Sequence, residues 1–156
     1  MKSFETKKME VRVQKLTDTA TIPTKANPYD AGYDLYSDEN VLCRTGETIL
    51  VSTGVAIEIP DGYAGLIWDR SSLGIKGIHR FAGVVDSGYR GEVRVCLSNL
   101  AYGLHEWPFF HLPFSIKKGE RIAQLIIQEV PEVELKEVDS LSSSVRGEGG
   151  FGSSGK

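Results

Sequence analysis

The sequence predicts one all-β domain, and three observations support this prediction. The chain has 156 residues, 17 of them glycine, and the glycines separate short apolar segments, as in strands joined by tight turns. Several of these segments alternate apolar and polar side chains with a period of two, which is typical of half-buried strands. Helical periodicity is confined to a short turn at 71–74. We therefore expect a sandwich, a jelly roll or a barrel.

Five segments are expected to form strands. In chain order they are 11–16, 54–60, 63–68, 92–97 and 121–130. In the second segment Val55, Ile57 and Ile59 share one face. Asp61 and Gly62 form a dipeptide favoured in two-residue turns, so the second and third segments are expected to pair as a hairpin. The last segment is mostly apolar, which predicts a buried strand.

Two stretches depart from this pattern. Between Asn99 and Gly119 the chain is dense in aromatic residues and contains His105 and His111. Its prolines, and the lack of a framework of carboxylates or thiols, favour a packed surface loop over a metal site. From Leu141 onward the chain is rich in Ser and Gly, with too few apolar side chains to fold alone. We therefore expect a domain at 1–140 and a flexible tail at 141–156.

Composition excludes several classes of function. The chain has 18 Lys and Arg against 21 Asp and Glu, a net charge of −3, whereas nucleic-acid-coating proteins need a basic face. A small anionic ligand held by a few cations is not excluded. The sequence has no apolar run long enough to cross a bilayer, and no signal peptide. Cys43 and Cys96 form no CxxC motif and are expected to be free thiols. We expect a soluble cytoplasmic protein without nucleic-acid or membrane partners.

The glycine-rich end contains two phosphate-binding patterns that cannot work in their usual way. Gly147, Gly149 and Gly152 spell GxGxxG, and the run from Gly150 to Lys156 spells GxxxxGK. Both loops need a helix to follow them, and none can follow here. A flexible run of backbone N–H groups beside Arg146 can still enclose an anion. Phe151, alone among glycines, suggests stacking on a flat ligand such as a base.

Four further segments contain charged and polar side chains that strands and turns alone do not require. They are 31–35 (AGYDL), 70–72 (RSS), 83–91 (GVVDSGYRG) and 119–124 (GERIAQ). The second combines a guanidinium with two hydroxyls, a set suited to phosphate oxygens. The third places an acid at the start of a tight turn. Taken singly, each has a structural explanation as a turn Asp, a surface Arg or a ladder Gln.

In content and order, these segments and 146–155 resemble the five motifs of the trimeric dUTPases. The resemblance covers 11–155, nearly the whole chain. It implies a jelly-roll (β-clip, dUTPase-like) subunit and a homotrimer with active sites between subunits. It also implies Mg²⁺-dependent hydrolysis of dUTP to dUMP and pyrophosphate.

The resemblance also implies roles for individual residues. Asp86 corresponds to the carboxylate that orients and deprotonates the water attacking the α-phosphorus. Tyr89 corresponds to the residue under the deoxyribose, where a ribose 2′-hydroxyl would collide. The backbone at 83–86 corresponds to the hairpin that reads uracil, where glycine permits close approach. Asp34 corresponds to an acid that contacts Mg²⁺ through water, the metal being held mainly by the triphosphate.

The family's phosphate-binding residues correspond to Arg70, Ser71, Ser72 and Gln124. Among them, Ser72 corresponds to the residue near the leaving oxygen. Arg146 corresponds to a γ-phosphate contact of the tail, and Phe151 to a uracil contact. The full set of expected substrate-binding residues is Arg70, Ser71, Ser72, Gly83, Val84, Val85, Asp86, Tyr89, Arg94, Gln124, Arg146, Phe151 and Gly152. Arg121 falls in the fourth motif, with a role that is either structural or electrostatic.

Two departures from the family pattern and two other functions stand beside this interpretation. Asp69 replaces a usual proline and should weaken phosphate binding by Arg70 unless it points away or pairs with another cation. The loop between 99 and 119 is longer than usual.

A dCTP deaminase shares the fold but lacks an Asp-centred third motif such as the one around Asp86. A non-catalytic interaction protein of the same fold is supported only by the long aromatic loop.

Overall fold

The computed structural model describes residues 9–101 and 113–149. Within them it has eleven strands and one short helix, α1. The elements are β1 (Arg12–Lys15), β2 (Tyr33–Tyr36), β3 (Val41–Cys43), β4 (Thr48–Val51), β5 (Val55–Glu58), β6 (Tyr63–Trp68), α1 (Ser71–Gly74), β7 (Ile78–Phe81), β8 (Val84–Val85), β9 (Val95–Asn99), β10 (Phe114–Ile116) and β11 (Arg121–Glu129). The predicted all-β class is confirmed, as is the short helical turn.

The strands form small antiparallel sheets that enclose one core. The largest sheet has the order β2-β11-β6-β8, and a second has the order β4-β9-β7. β1 pairs with β5, and β3 pairs with β10. Because side chains alternate along each strand, Leu35, Leu125 and Ile67 point from the large sheet into the core. Val51 and Val95 meet them from the second sheet.

The predicted hairpin of the second and third segments is wrong. The turn exists, with Gly62 at φ 81° and the Tyr63 amide donating to the Pro60 carbonyl at 3.1 Å. However, β5 pairs with β1, whereas β6 lies between β11 and β8. Pro60 has no N–H to offer a strand ladder at this point, so the chain leaves one sheet and enters another.

The predicted strand at 92–97 also begins later than expected, because β9 starts at Val95. Glu92 instead forms an isolated bridge with Ala56, and its carboxylate accepts hydrogen bonds from the Ser52 hydroxyl and the Gly54 amide. This carboxylate fixes the β4–β5 turn against the segment that follows Tyr89.

Residues 131–149 contain no helix or strand, and they are exposed as far as Glu148. The aromatic residues between 102 and 112, the two histidines there, and Phe151 and Gly152 lie outside the described residues. The division into 1–140 and 141–156 therefore stays a prediction.

In the described part of the chain, no helix is both long and apolar enough to cross a membrane. Cys43 and Cys96 are free thiols, and burial raises the pKa of Cys43.

A buried carboxylate joins the start of the chain to the end of β2. Asp38 accepts hydrogen bonds from the hydroxyls of Thr17 at 2.5 Å and Thr19 at 2.7 Å, and Lys118 lies 3.4 Å away. The Thr17 bond, with smaller contributions from Thr19 and Lys118, lowers the pKa of Asp38 despite the opposing effect of burial. The charged form of Asp38 is therefore favoured by folding.

We expect Thr17→Ala to lower the free energy of unfolding by about 2 kcal/mol at pH 7, because it removes a hydrogen bond to a buried charge. The folded pKa of Asp38 lies below the unfolded one, so this contribution is present above about pH 4 and is lost as the pH falls through the folded value. Urea unfolding at pH 7 and near pH 3 measures both quantities.

Thr17→Ser, which keeps the hydroxyl, is the matched control and should stay within about 0.5 kcal/mol of the wild type. An equal loss for Thr17→Ala at both pH values would show that the charge of Asp38 is not what the hydroxyl stabilises.

Candidate functional site

The first cluster of site residues lies on the outer face of the large sheet. Register places Gln124 of β11 directly opposite Asp34 of β2 on one side and Trp68 of β6 on the other. Directly opposed residues in an antiparallel pair project from the same face, so three strands present these side chains in a row. The row faces away from the core formed by Leu35 and Ile67.

Asp34 holds two arginines in this row. Its side chain is only 8% exposed, and Oδ1 accepts a hydrogen bond from Arg70 Nε at 3.0 Å. Oδ2 accepts one from Arg121 Nη1 at 3.3 Å, and Arg70 Nη1 in turn donates to the Arg121 carbonyl at 3.4 Å. Residues from the first, second and fourth motifs are thereby joined through one buried carboxylate. The role of Arg121, undecided from sequence, is to share this carboxylate.

Arg70 also leads directly into α1, which presents two hydroxyls beside it. The Arg70 carbonyl accepts the amides of Leu73 and Gly74, both at 2.9 Å, and the buried Leu73 anchors the turn in the core. Ser71 and Ser72 remain exposed. The guanidinium and hydroxyl groups predicted to bind phosphate are therefore adjacent.

The third motif forms a separate cleft of about 210 Å³. Its lining includes the predicted residues Gly83, Val84, Val85, Asp86, Tyr89 and Arg94. The Gly83 carbonyl accepts the Ile67 amide at 2.7 Å, and a Cβ on Gly83 would come within 2.9 Å of the Ile67 carbonyl oxygen. With φ 134° and this close approach, the position requires glycine.

Tyr89 is fixed against its own turn at the cleft. Its hydroxyl donates to the Glu92 carbonyl at 3.0 Å, and its amide donates to the Asp86 carbonyl at 3.1 Å. The ring lies over Gly91, where an added Cβ would collide with the Tyr89 hydroxyl. Asp86 is exposed at the start of this turn. The cleft thus combines a rigid aromatic ring, a carboxylate and a strand edge.

The two clusters have no lining residue in common. Ile67 and Val85, which line the cleft, project to the core side, whereas Asp34 and Gln124 project outward. Within the described residues the cleft is lined by none of the predicted phosphate contacts. One copy of the chain therefore holds the predicted groups as two half-sites.

Asp69 does not oppose the charge of Arg70 through direct contact. Its Oδ2 lies 2.6 Å from His79 Nδ1, and its Oδ1 accepts the Arg80 amide at 2.8 Å. The carboxylate therefore points across to β7. The sequence allowed for Asp69 to point away or to pair with another cation, but it could not name the partners, because His79 and Arg80 carry no motif and only the three-dimensional pairing brings them to Asp69.

Arg146 of the tail and the expected metal contact at Asp34 are two further predictions from the sequence. Arg146 is exposed and donates from Nε to the Gly149 carbonyl at 2.9 Å, and among the described residues no hydrogen bond or ion pair joins it to either half-site. Among the residues that the structure describes, no three His, Cys, Asp or Glu side chains are grouped in a way that could hold a metal ion. The acid of the first motif, Asp34, already accepts a guanidinium on each oxygen.

The fold and the site together define an all-β protein with two arginines paired to a buried carboxylate beside two exposed serines, and with a separate cleft lined by the third motif. The family model described as dUTPase matches residues 18–155. The chain therefore belongs to the dUTPase family, as the motifs predicted.

Individual relatives agree with this assignment. The deoxyuridine 5′-triphosphate nucleotidohydrolase of Nocardia farcinica is 43% identical over 148 residues, which cover 93% of this chain and 85% of that protein. The dUTPase of Staphylococcus bacteriophage 80alpha in complex with dUPNHPP superposes with a TM-score of 0.83 at 34% identity, covering 94% of this chain and 99% of that one. A mutant dUTPase of S. aureus phage phi11, described with a structural Mg(II) ion, has a TM-score of 0.74 at 29% identity, covering 85% and 98%.

We expect Asp34→Ala to lower the free energy of unfolding by about 2–3 kcal/mol. Breaking a buried ion pair costs about 3–5 kcal/mol, and the value is smaller here because Arg121 is half exposed. Arg12→Ala removes an exposed pair with Glu58 and should cost less than about 1 kcal/mol. Denaturant unfolding compares the two, and equal losses would contradict the anchoring role of Asp34.

Proposed function

We propose that this chain hydrolyses dUTP to dUMP and pyrophosphate, with water attacking the α-phosphorus. Membership of the dUTPase family supports the substrate and the reaction. The observation that carries the mechanism is the pairing of Arg70 with the buried Asp34, which aims a guanidinium at the surface beside two free hydroxyls. Such an enzyme limits the dUTP available for incorporation into DNA and supplies dUMP for dTMP synthesis.

The outer row binds the triphosphate. Arg70 donates to phosphate oxygens from the face that Asp34 does not use, and charge-assisted bonds of this kind are short and strong. Ser71 and Ser72 donate hydroxyl hydrogens, with Ser72 beside the oxygen that leaves with pyrophosphate. Gln124 donates its amide from the neighbouring strand. The tail closes over the nucleotide, with Arg146 at the γ-phosphate and Phe151 and Gly152 at the base.

The cleft binds the nucleoside. Backbone groups at 83–85 hydrogen-bond the edge of uracil, because the absence of a side chain at Gly83 lets the base approach. The Tyr89 ring packs under the deoxyribose and excludes a 2′-hydroxyl by contact. Arg94, at the mouth of the cleft, adds a cation near the phosphates.

Asp86 acts as the general base. Its carboxylate accepts a proton from the attacking water, a bond forms between the water oxygen and the α-phosphorus, and the bond to the bridging oxygen breaks to release pyrophosphate. A carboxylate is a weak base, so the rate depends on its placement next to a bound water rather than on basicity.

Mg²⁺ fits this site as a partner of the triphosphate. Both oxygens of Asp34 accept guanidinium hydrogens and retain lone pairs, which suits a contact to a metal-bound water better than direct ligation. When bound, Mg²⁺ neutralises charge on the triphosphate. Asp34 is the residue of this chain that orients it.

The active form is a homotrimer with sites between subunits. The separation of the two half-sites supports this arrangement, since a nucleotide bound to one half-site can be completed by the other half-site of a neighbour. Residues 131–148 also expose large apolar side chains that a neighbour would cover. They are Val133, Leu135, Val138, Leu141 and Val145.

We place the enzyme in the cytoplasm, which the two free thiols support.

The function is tested with Asp86→Asn. We expect trimer and dUTP affinity to be kept and kcat to fall roughly 10²–10⁴-fold, the range for loss of a general base. Pyrophosphate release from dUTP and Mg²⁺, coupled to a pyrophosphatase and phosphate detection, measures the rate. Asp61→Asn, another exposed turn acid, is the control and should keep full activity. A wild type that releases no pyrophosphate from dUTP would refute the function, and an active Asp86→Asn would refute the base.

Discrimination against ribose is tested at Gly91. We expect Gly91→Ala to displace the Tyr89 ring, because the new methyl group occupies the position of its hydroxyl. The ratio of kcat/KM for dUTP over UTP should then fall roughly tenfold, within the 1–3 kcal/mol typical of steric discrimination. Gly88→Ala in the same turn meets no atom within 4 Å and should leave the ratio unchanged. An unchanged ratio in Gly91→Ala would show that the position of the Tyr89 ring does not determine the preference for deoxyribose over ribose.

A further inference from the structure

Two consecutive residues of β7 connect the turn that carries Arg70 to the turn that enters the base-binding cleft. At one end, the carboxylate of Asp69 accepts the Arg80 amide at 2.8 Å and lies 2.6 Å from the imidazole of His79. At the other end, Arg80 Nη1 donates to the Ala82 carbonyl at 2.6 Å. Asp69 adjoins the phosphate-binding arginine, and Ala82 adjoins Gly83.

The guanidinium of Arg80 is held in one place by its surroundings. Its central carbon lies 5.0 Å from the centre of the Trp68 ring, a cation–π arrangement on the outer face of β6. Its Nη1 would be 3.1 Å from a Cβ on Gly83, so it fills the space that the missing side chain leaves. Arg80 Nε is buried without a hydrogen-bond partner in the described structure. The Ala82 carbonyl and the Trp68 ring therefore fix this side chain.

The turn that Arg80 contacts is strained. Ala82 has φ 60°, the one non-glycine residue with positive φ in the described part of the chain. A left-handed conformation is unfavourable for an L-residue, because it brings the Cβ too close to the following carbonyl oxygen. Such a conformation persists where neighbouring groups hold it, and strained backbone of this kind is frequent at binding sites. Here the carbonyl of the strained residue is the group that Arg80 binds.

We propose that Arg80 is a positioning residue for base recognition, which rests on the proposed function. Anchored through its amide on Asp69 and through its guanidinium on Trp68, it holds the Ala82–Gly83 turn in the conformation that presents the backbone of 83–85 to the base. Arg80 acts through this backbone and does not touch the nucleotide. It also explains Asp69: the carboxylate that stands where the family usually has proline fixes the strand from which Arg80 reaches the turn.

The test is Arg80→Met, which removes the guanidinium but keeps a long stem and the amide that binds Asp69. We expect KM for dUTP to rise about tenfold with kcat within about twofold, the pattern for lost binding that is equal in ground and transition states. Because backbone hydrogen bonds discriminate uracil from cytosine, the ratio of kcat/KM for dUTP over dCTP should fall about tenfold. Amide hydrogen exchange at 82–86 should become faster, whatever the nucleotide.

Three further variants complete the design. Arg80→Lys, which retains a donor for the Ala82 carbonyl, should recover part of the lost discrimination. Asp69→Ala, which leaves the guanidinium in place and removes the other anchor, should shift KM and discrimination in the same direction as Arg80→Met. Arg44→Met, at an exposed arginine that pairs with Glu47, is the matched control and should behave as wild type.

The results separate this inference from the proposed function. A folded Arg80→Met with wild-type KM and wild-type dUTP/dCTP ratio would overturn it, and faster exchange with unchanged discrimination would make Arg80 purely structural and overturn it as well. If Arg80→Met does not fold, an Asp69→Ala protein with wild-type KM and wild-type dUTP/dCTP ratio overturns the inference instead. A wild type inactive on dUTP would instead refute the proposed function, while the exchange data would still report on the turn.

Discussion

The architecture of this site depends on one buried carboxylate. Asp34 lies at one end of a three-strand row, on the edge strand β2, and its two oxygens are occupied by Arg70 and Arg121. Without Asp34, two guanidinium groups would lie side by side with no counter-charge, and no ion pair would hold either of them at the sheet surface. Each of its oxygens accepts an N–H group of one arginine, and we propose that other N–H groups of the two side chains bind an anion. The same interaction fixes the turn that starts α1 and so places the hydroxyls of Ser71 and Ser72.

The large sheet imposes a second constraint. Alternation along β6 and β11 sends the proposed phosphate-binding row outward and sends Ile67 and Leu125 inward, and the cleft proposed to bind the base lies at the edge strand β8, two strands away from Gln124. Two half-sites in one chain are useful only if copies of the chain combine them. The proposed trimer is consistent with how the strands present their side chains. Within one chain, Asp69 and Arg80 connect the turns of the two half-sites.

The sequence predicted the all-β class, the short turn at 71–74 and the family, because glycine spacing, period-two alternation and five ordered motifs are local signals. It failed where non-local pairing decides the outcome. The Asp61–Gly62 turn is real, yet β5 and β6 separate because Pro60 cannot continue a ladder. Residue types indicated that Arg70 and Gln124 bind phosphate, but the register that aligns Gln124 with Asp34 required the fold. Arg121, Asp69 and Arg80 have roles set by partners that are distant in sequence, and no spacing could have revealed them.

The claim that the active site is assembled from two subunits is tested most directly by mixing two inactive variants. Arg70→Gln disables the phosphate half-site and Asp86→Asn the base half-site, so equal amounts are unfolded together, refolded as trimers and assayed for dUTP hydrolysis. If each site takes its halves from different subunits, random mixing leaves both halves intact in about a quarter of the sites, and about a quarter of wild-type activity returns. If each chain forms its own site, every site carries a defect. Activity no higher than that of the parent variants would contradict the account.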